Sequence, residues 1–293
     1  MLIFAKLIKW MKNKAIISNL NLQLAVLLFG GVALFAKIIP VHSIVLVLGR
    51  CLFASVFLLI WMYFANSFKT KVKFSEIASI FTLNGLVLAV HWVLFFLSIK
   101  MSNVALGVIT FSTFPFFIII SAPFFGLGKI EQKDIIKSVA IVSGVLVMVQ
   151  PGQLKSEYMY GLFCGLGAAA SFAMLTLLNK KFTKNLDSIS IAFYQNVGAT
   201  VFLLPAAFYF DWNLNTEQYV YWIILGVIFT GLAHTLYVSS LKDVSVQRAG
   251  LVATLEPIYA IAWSVILFWE WPLLREWIGA VIILSTVFFN SKK

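Results

Sequence analysis

Five side chains that carry or can acquire charge fall inside long apolar stretches of this 293-residue chain: Lys37, Arg50, His91, His234 and Glu256. An ionisable group inside a bilayer costs several kcal/mol unless it is paired or hydrated, so each is a candidate for function. Glu256 stands directly before Pro257. Proline removes a backbone donor and leaves the carbonyl one turn back, near Ala253, without its helical partner. An acid beside such an interruption can bind a cation or a cationic part of a solute. It can also titrate as a coupling-proton site, or pair with Arg50 or Lys37. Arg50 can pair with Glu256, hold an anionic group such as a carboxylate through its planar donor fork, or extend to the interface. Lys37 lies near the end of its apolar stretch and suits the interface better. His42 belongs with the loop that follows.

Uncharged polar groups extend this set. Asn84 and His91 are seven positions apart and share a helical face, flanked by Trp92 and Phe95. Such a stripe suits the lining of a solute pocket, and equally a histidine bonded to a neighbouring helix with ordinary aromatic packing around it. His234, with Thr230 and Tyr237 one turn to either side, reads the same way. Thr110, Thr113, Gln195 and Asn196 add donors, although threonine commonly bonds its own helix backbone. The expected substrate-binding residues are thus Asn84, His91, Trp92, Thr113, Gln195, Asn196, His234 and Tyr237. Glu256, Arg50 and Lys37 form a coupling or charge-pair group, and Pro115 and Pro257 are expected hinges. No HExxH, GxSxG, phosphate loop or Cys/His ligand cluster is present. Cys51 and Cys164 sit in apolar runs and read as small hydrophobes. No catalytic residue, metal or cofactor is expected.

The elements that position these groups are membrane helices. Hydrophobic residues make up 61% of the chain and charged ones 11%, against 45–50% and about 25% in soluble domains. The apolar runs are continuous, which excludes the alternation of a transmembrane barrel. With about 20 residues needed per crossing, ten spans are expected: 22–39, 43–65, 76–99, 103–126, 133–150, 158–179, 188–210, 219–240, 246–269 and 273–290. The net charge of +11 does not imply nucleic acid, because the lysines sit in short loops where lipid headgroups and topology account for them. With a cytoplasmic N-terminus, 17 of the 22 basic residues lie on the cytoplasmic side and three outside, while Lys37 and Arg50 lie in spans. Both termini are therefore expected in the cytoplasm. Residues 1–21 form a cytoplasmic or interfacial segment in which Ile3, Leu7 and Trp10 oppose Lys6, Lys9 and Asn13, the pattern of a helix lying on the membrane surface. No small-residue cleavage site follows it, so it reads as leading into an uncleaved first helix.

The chain also repeats itself. His91 to Pro115 is echoed 142 positions later by Ala233 to Pro257, with Lys100 on Lys242 and Pro115 on Pro257. Glu131 and Ala140 correspond more loosely to Glu270 and Gly279. The unit holds five helices, an odd number, so the second copy enters the membrane the opposite way round. The expected fold is all-α, with ten transmembrane helices as two inverted repeats, 22–150 and 158–290. Inverted repeats that hold a midplane site between them are a transporter architecture. Within the second, Gly161, Gly165 and Ala169 are spaced for close helix contact.

These features together resemble the EamA-type drug/metabolite transporters over nearly the whole length. The resemblance is carried by Gly49-Arg50 at the start of the second span and by LAVHWVLFFLSIKMSNVALGVITFSTFP, from Leu88 to Pro115. Leu255-Glu256-Pro257 and the Glu270 to Gly279 spacing complete it. Two positions depart from the family pattern: Phe114 precedes the first proline, leaving the fourth span without a charge, and Ala140 stands where a glycine is expected. The resemblance implies export or exchange of a small metabolite across a bacterial inner membrane by alternating access. The rival readings are a non-transporting scaffold or channel subunit and, with no catalytic motif to support it, a membrane-embedded enzyme. The expected partners are a small-molecule substrate and membrane lipid, with no nucleic acid, and a homodimer stays open. The charge split makes a direct prediction. In a background free of Cys51 and Cys164, cysteines placed at Ser156 and Asn215 should react with an impermeant thiol reagent from outside, and those at Thr70 and Lys184 should not. The reverse pattern of labelling would overturn the orientation.

Overall fold

The computed structural model describes residues 14–67, 73–148, 156–269, 271 and 273–288, and every regular element among them is helical. The expected surface helix of residues 1–13 and Glu270 lie outside the described residues. Eight helices are long and apolar enough to cross a membrane: α1 (Lys14–Ile38), α2 (Ser43–Phe64), α3 (Phe74–Met101), α4 (Leu106–Phe125), α6 (Ser156–Phe182), α7 (Ser188–Ala206), α8 (Thr216–Ser240) and α9 (Val246–Phe268). The expected fifth and tenth spans appear as α5 (Gln132–Met148) and α10 (Leu274–Phe288), with 17 and 15 described residues, and these two pack against each other. Of the ten expected spans, eight are long and apolar enough to cross a membrane among the described residues, and α5 and α10 fall short of that length. The first helix is already formed at Lys14, the first described residue and ahead of the expected position 22, and Ser18, Leu22 and Ala25 pack inward along it.

Outward-facing positions carry large apolar side chains, among them Leu24, Val56, Ile60, Ile136, Val139 and Phe163. Such a surface is at home in hydrocarbon, and a helix satisfies its own backbone there. Contacts inside the bundle depend on missing side chains. A Cβ on Gly165 of α6 would lie 1.8 Å from the Thr110 hydroxyl of α4, and one on Gly198 of α7 would lie 1.9 Å from the Phe81 carbonyl oxygen of α3. Gly161 likewise faces the Ser98 carbonyl. The small-residue run therefore seats α6 against α3 and α4, as its spacing suggests.

Five of these helices are not regular, α1 among them, which pauses at Ala33 and Leu34 before Phe35–Ile38. α4 stops at Ser112 and Thr113 and restarts as Phe114–Ser121. α9 stops at Thr254 and Leu255 and restarts as Glu256–Phe268. These positions differ by 142, the sequence repeat, and the backbone angles match: ψ is −3° and −6° in the first break and −5° and −12° in the second. Each proline is the second residue of the restarted helix, where its missing N–H costs nothing. α3 and α8 each contain a π-helical segment, Ile80–Asn84 and Val227–Leu232. A π segment inserts one residue into the ladder, commonly at a functional place.

The turn between α1 and α2 is fastened twice. His42 caps α2, its Nδ1 accepting from the Ile44 N–H at 3.3 Å, and its ring stacks on Phe210 at 3.8 Å. The Lys100 ammonium donates to the Val41 carbonyl. Burial, and then the Lys100 charge, hold the His42 pKa below its ordinary value, so protonation in acid works against this cap.

Steric contact, more than glycine's flexibility, decides the packing prediction. Gly198→Ala should destabilise by about 2 kcal/mol, lowering the melting temperature in detergent by roughly 4–8 °C. Gly126 has φ +66° and no atom within 4 Å of a built Cβ, so Gly126→Ala should cost only about 1 kcal/mol of backbone strain. Equal melting temperatures for the two variants would show that the α3–α7 crossing can relax.

Candidate functional site

The charged and aromatic groups of seven helices meet in one buried cluster. α1 contributes Phe29, α2 Arg50, α3 His91, Trp92 and Phe95, and α4 Phe111 and Phe114. α6 contributes Phe172, α8 Thr230, His234 and Tyr237, and α9 Glu256. All are buried, with Arg50, His91, Thr230, His234 and Tyr237 at 0% exposure.

Arg50 is set by a tight crossing of α2 and α8. Gly49 leaves room for the Trp222 indole, whose Nε1 donates to the Leu46 carbonyl at 2.9 Å. One residue on, the Arg50 Nε donates to the Thr230 hydroxyl at 2.9 Å, and Nη2 makes a long contact of 3.5 Å with the Phe229 carbonyl. Both acceptors belong to the π segment of α8. The Thr230 hydroxyl in turn donates to the Leu225 carbonyl, five residues back, at 2.7 Å. The guanidinium carbon lies over the Trp92 ring, 3.5 Å from its centre, a cation–π contact. Nη1 has no acceptor among the described residues.

His91 turns towards α6, where its Nδ1 lies 2.9 Å from the Ala168 carbonyl, while its Nε2 has no partner among the described residues. Asn84, on the same face of α3, donates to the Asn179 side chain of α6 at 2.9 Å. The pairing of these two on one face is observed, and that face meets α6. Phe172 joins the aromatic groups, with ring centres 5.0 Å from His91, 5.3 Å from Phe111, 5.2 Å from Phe114 and 5.3 Å from Tyr237. The Tyr237 and Thr176 hydroxyls are 3.1 Å apart. His234 packs near Phe29, and neither ring nitrogen has a partner among the described residues.

Glu256 opens the second half of α9, where the helix dipole favours a carboxylate. Its carboxylate acts on Arg50 through space, and the two form no direct ion pair. Lys37 lies apart, its ammonium 5.7 Å from the Phe268 ring. Gln195 and Asn196 are buried on α7, and no described hydrogen bond or ring contact links them to the cluster. Asn196 bonds its own helix at the Ala192 carbonyl. Thr113 likewise donates to the Thr110 carbonyl at 2.7 Å and patches the α4 break. The structure thus gathers His91, Trp92, His234, Tyr237, Arg50 and Glu256, and leaves Asn84, Thr113, Gln195, Asn196 and Lys37 around or away from them. Phe172 and Phe29 were not singled out by sequence, because 28 phenylalanines give no contrast.

Chemically, the cluster offers one guanidinium, one carboxylate, two imidazoles and a phenol inside aromatic walls. That arrangement can recognise a solute, and it contains no nucleophile held against a base. Groups of three or more His, Cys, Asp or Glu residues placed to hold a metal are absent among the described residues.

Comparison with known proteins agrees with this geometry. A solved crystal structure superposes with a TM-score of 0.74 over 94% of this chain and 97% of that one, at 14% identity, and so shares the fold. The uncharacterized transporter YxxF of Bacillus subtilis is 24% identical over 282 residues, 94% of this chain and 88% of the relative. The S-adenosylmethionine uptake transporter of Rickettsia conorii is 27% identical over 255 residues, 85% of this chain and 82% of the relative. The profile of the EamA-like transporter family matches twice, over residues 16–150 and 159–292. The chain belongs to the EamA-like transporter family and is a multi-pass membrane protein of a transporter family, not an enzyme.

Proposed function

We propose that this protein is a secondary transporter of a small organic metabolite in the cytoplasmic membrane. In this reading, two inverted five-helix halves, 22–150 and 158–290, rock about the buried cluster with both termini in the cytoplasm. The observation that carries the proposal is the pair of helix breaks at Ser112-Thr113 and Thr254-Leu255, 142 positions apart. Discontinuous helices at matching places in two repeats, with polar groups between them, suit alternating access. The aromatic walls favour an organic solute over an inorganic ion. The name of the Rickettsia conorii relative, an uptake transporter for S-adenosylmethionine, supports the same class. Uptake in that relative and the export expected for the family are both accommodated by exchange. Saturable counterflow of a labelled solute in liposomes is the test, and ohmic, non-saturable conductance would instead support a channel subunit.

Pro115→Ala and Pro257→Ala should each remove the ring that blocks the preceding turn, let the helix run on through its break and stiffen it. Transport should slow several-fold while solute affinity stays near that of the wild type. Unchanged rates in both variants would make the prolines passive.

Glu256→Gln separates two roles for the acid. As a coupling or solute-cation site, the variant should give monodisperse protein, lose gradient-driven uphill transport and show a flattened pH dependence. As the electrostatic balance of Arg50, it should leave a buried cation uncompensated, costing several kcal/mol, and yield little folded protein. Neutralising Arg50 in the same molecule should then partly restore the yield. Well-folded Glu256→Gln with normal uphill transport would sink both.

A further inference from the structure

The hydrogen-bond inventory around Arg50 is unbalanced. The guanidinium is fully buried and keeps its charge. Its Nε is satisfied by Thr230, and Nη2 has only the long contact with the Phe229 carbonyl. Among the described residues Nη1 has no acceptor, and neither has the indole Nε1 of Trp92, whose ring centre lies 3.5 Å from the guanidinium. Both groups are donors only. Glu256, the acid of the cluster, forms no hydrogen bond or ion pair with Arg50. A buried guanidinium with an incompletely bonded fork and an unpartnered indole N–H beside it is matched by a group that carries two acceptor oxygens and one negative charge.

We infer that Arg50, backed by Trp92, is the anchor for a carboxylate of the transported solute. This rests on the central cluster being the transport site. A carboxylate offers two coplanar oxygens, matching the guanidinium fork in charge and plane. A phosphate would bring a further charge and a further oxygen next to Glu256, and the two partnerless donors would not saturate it. The remaining acceptors of Arg50 lie on the π segment of α8, so an anion drawn to Nη1 and Nη2 competes with the Phe229 carbonyl and bears directly on that segment. The aromatic side chains beyond Trp92, including His91, Phe172 and Tyr237, then face the body of the solute.

The test uses probes that differ only at the carboxylate, with the full chain in detergent. S-adenosylmethionine is compared with decarboxylated S-adenosylmethionine, and phenylacetate with phenylacetamide, each at millimolar concentration. At least one acid should raise the melting temperature by about 3 °C, with little response to its match. Arg50→Gln should abolish that response. Ser55→Ala, one turn along α2 where the hydroxyl donates to the Cys51 carbonyl, should keep it. Should Arg50→Gln fail to give monodisperse protein, Arg50→Lys replaces it, keeping the charge without the fork, and should at least halve the shift. The anchor is overturned if no acid shifts the wild type, if acids and their matches act equally, or if the Arg50 variant still responds. Saturable counterflow of a neutral solute alongside such a result would leave the transport reading standing and remove only the anchor. Absence of saturable counterflow for any solute would remove the transport reading itself.

Discussion

A guanidinium enclosed among apolar helices sets the terms for the groups around it. Arg50 cannot shed its charge as a lysine could, and desolvating it is expensive. The bundle answers with several weak partners in place of one strong one: a hydroxyl, a carbonyl, an indole face and a carboxylate acting at a distance. Each partner requires its own concession nearby. Gly49 must be glycine so that Trp222 can lie against α2, since a Cβ there would fall 1.8 Å from the indole. Gly226 must be small because a Cβ would sit 2.9 Å from the Arg50 carbonyl. Thr230 reaches Arg50 from a π segment, where its own hydroxyl bonds a carbonyl five residues back.

The same economy governs the interrupted helices. In hydrocarbon, a broken helix must satisfy its loose carbonyls internally. Ser112 donates to the Val108 carbonyl at 2.8 Å, Thr113 to that of Thr110 at 2.7 Å, and Thr254 to that of Leu251 at 2.6 Å. The hydroxyls bond carbonyls just before the break, so the prolines can sit at restarted helix ends without leaving a disordered joint. A break patched by short side chains has few bonds to exchange when it bends, in contrast to a continuous ladder.

Much of this was legible because it is repetitive or apolar. Continuous hydrophobic runs located the spans, and the 142-residue echo located the matching prolines. The breaks themselves fall two or three residues ahead of each proline, where Ser and Thr pull the chain into a local turn. The π segments left no mark, since one extra residue in an apolar helix changes neither composition nor a visible period. Asn84 shares a helical face with His91 in the sequence, but its partner Asn179 lies 95 positions away on α6 and no spacing rule joins them. For Arg50 the sequence leaves three outcomes open, because helix periodicity gives a face and no depth. Only the crossing with α8 decides that it is enclosed.

The halves match in backbone and differ in side chains, and that difference gives the cluster its polarity. At the first restart stands Phe114, whose ring packs against Phe172; at the second stands Glu256. The helix dipole at each restart presents partial positive charge, but one carries an acid to meet it and the other an aromatic wall. The histidines are similarly unequal. His91 is tied to the Ala168 carbonyl, whereas both nitrogens of His234 have no partner among the described residues. The ordinary bonds fall on both sides of the cluster: Tyr237 meets Thr176 within the second half, and His91 reaches across to Ala168 from the first half. Arg50, although it belongs to that half, turns its donors across to α8. Polar atoms without partners among the described residues stand on both sides of the cluster, at Arg50, His91 and Trp92 in the first half and at His234 in the second. A duplicated scaffold supplies two equivalent joints, and unequal residues at those joints make one of them electrostatic.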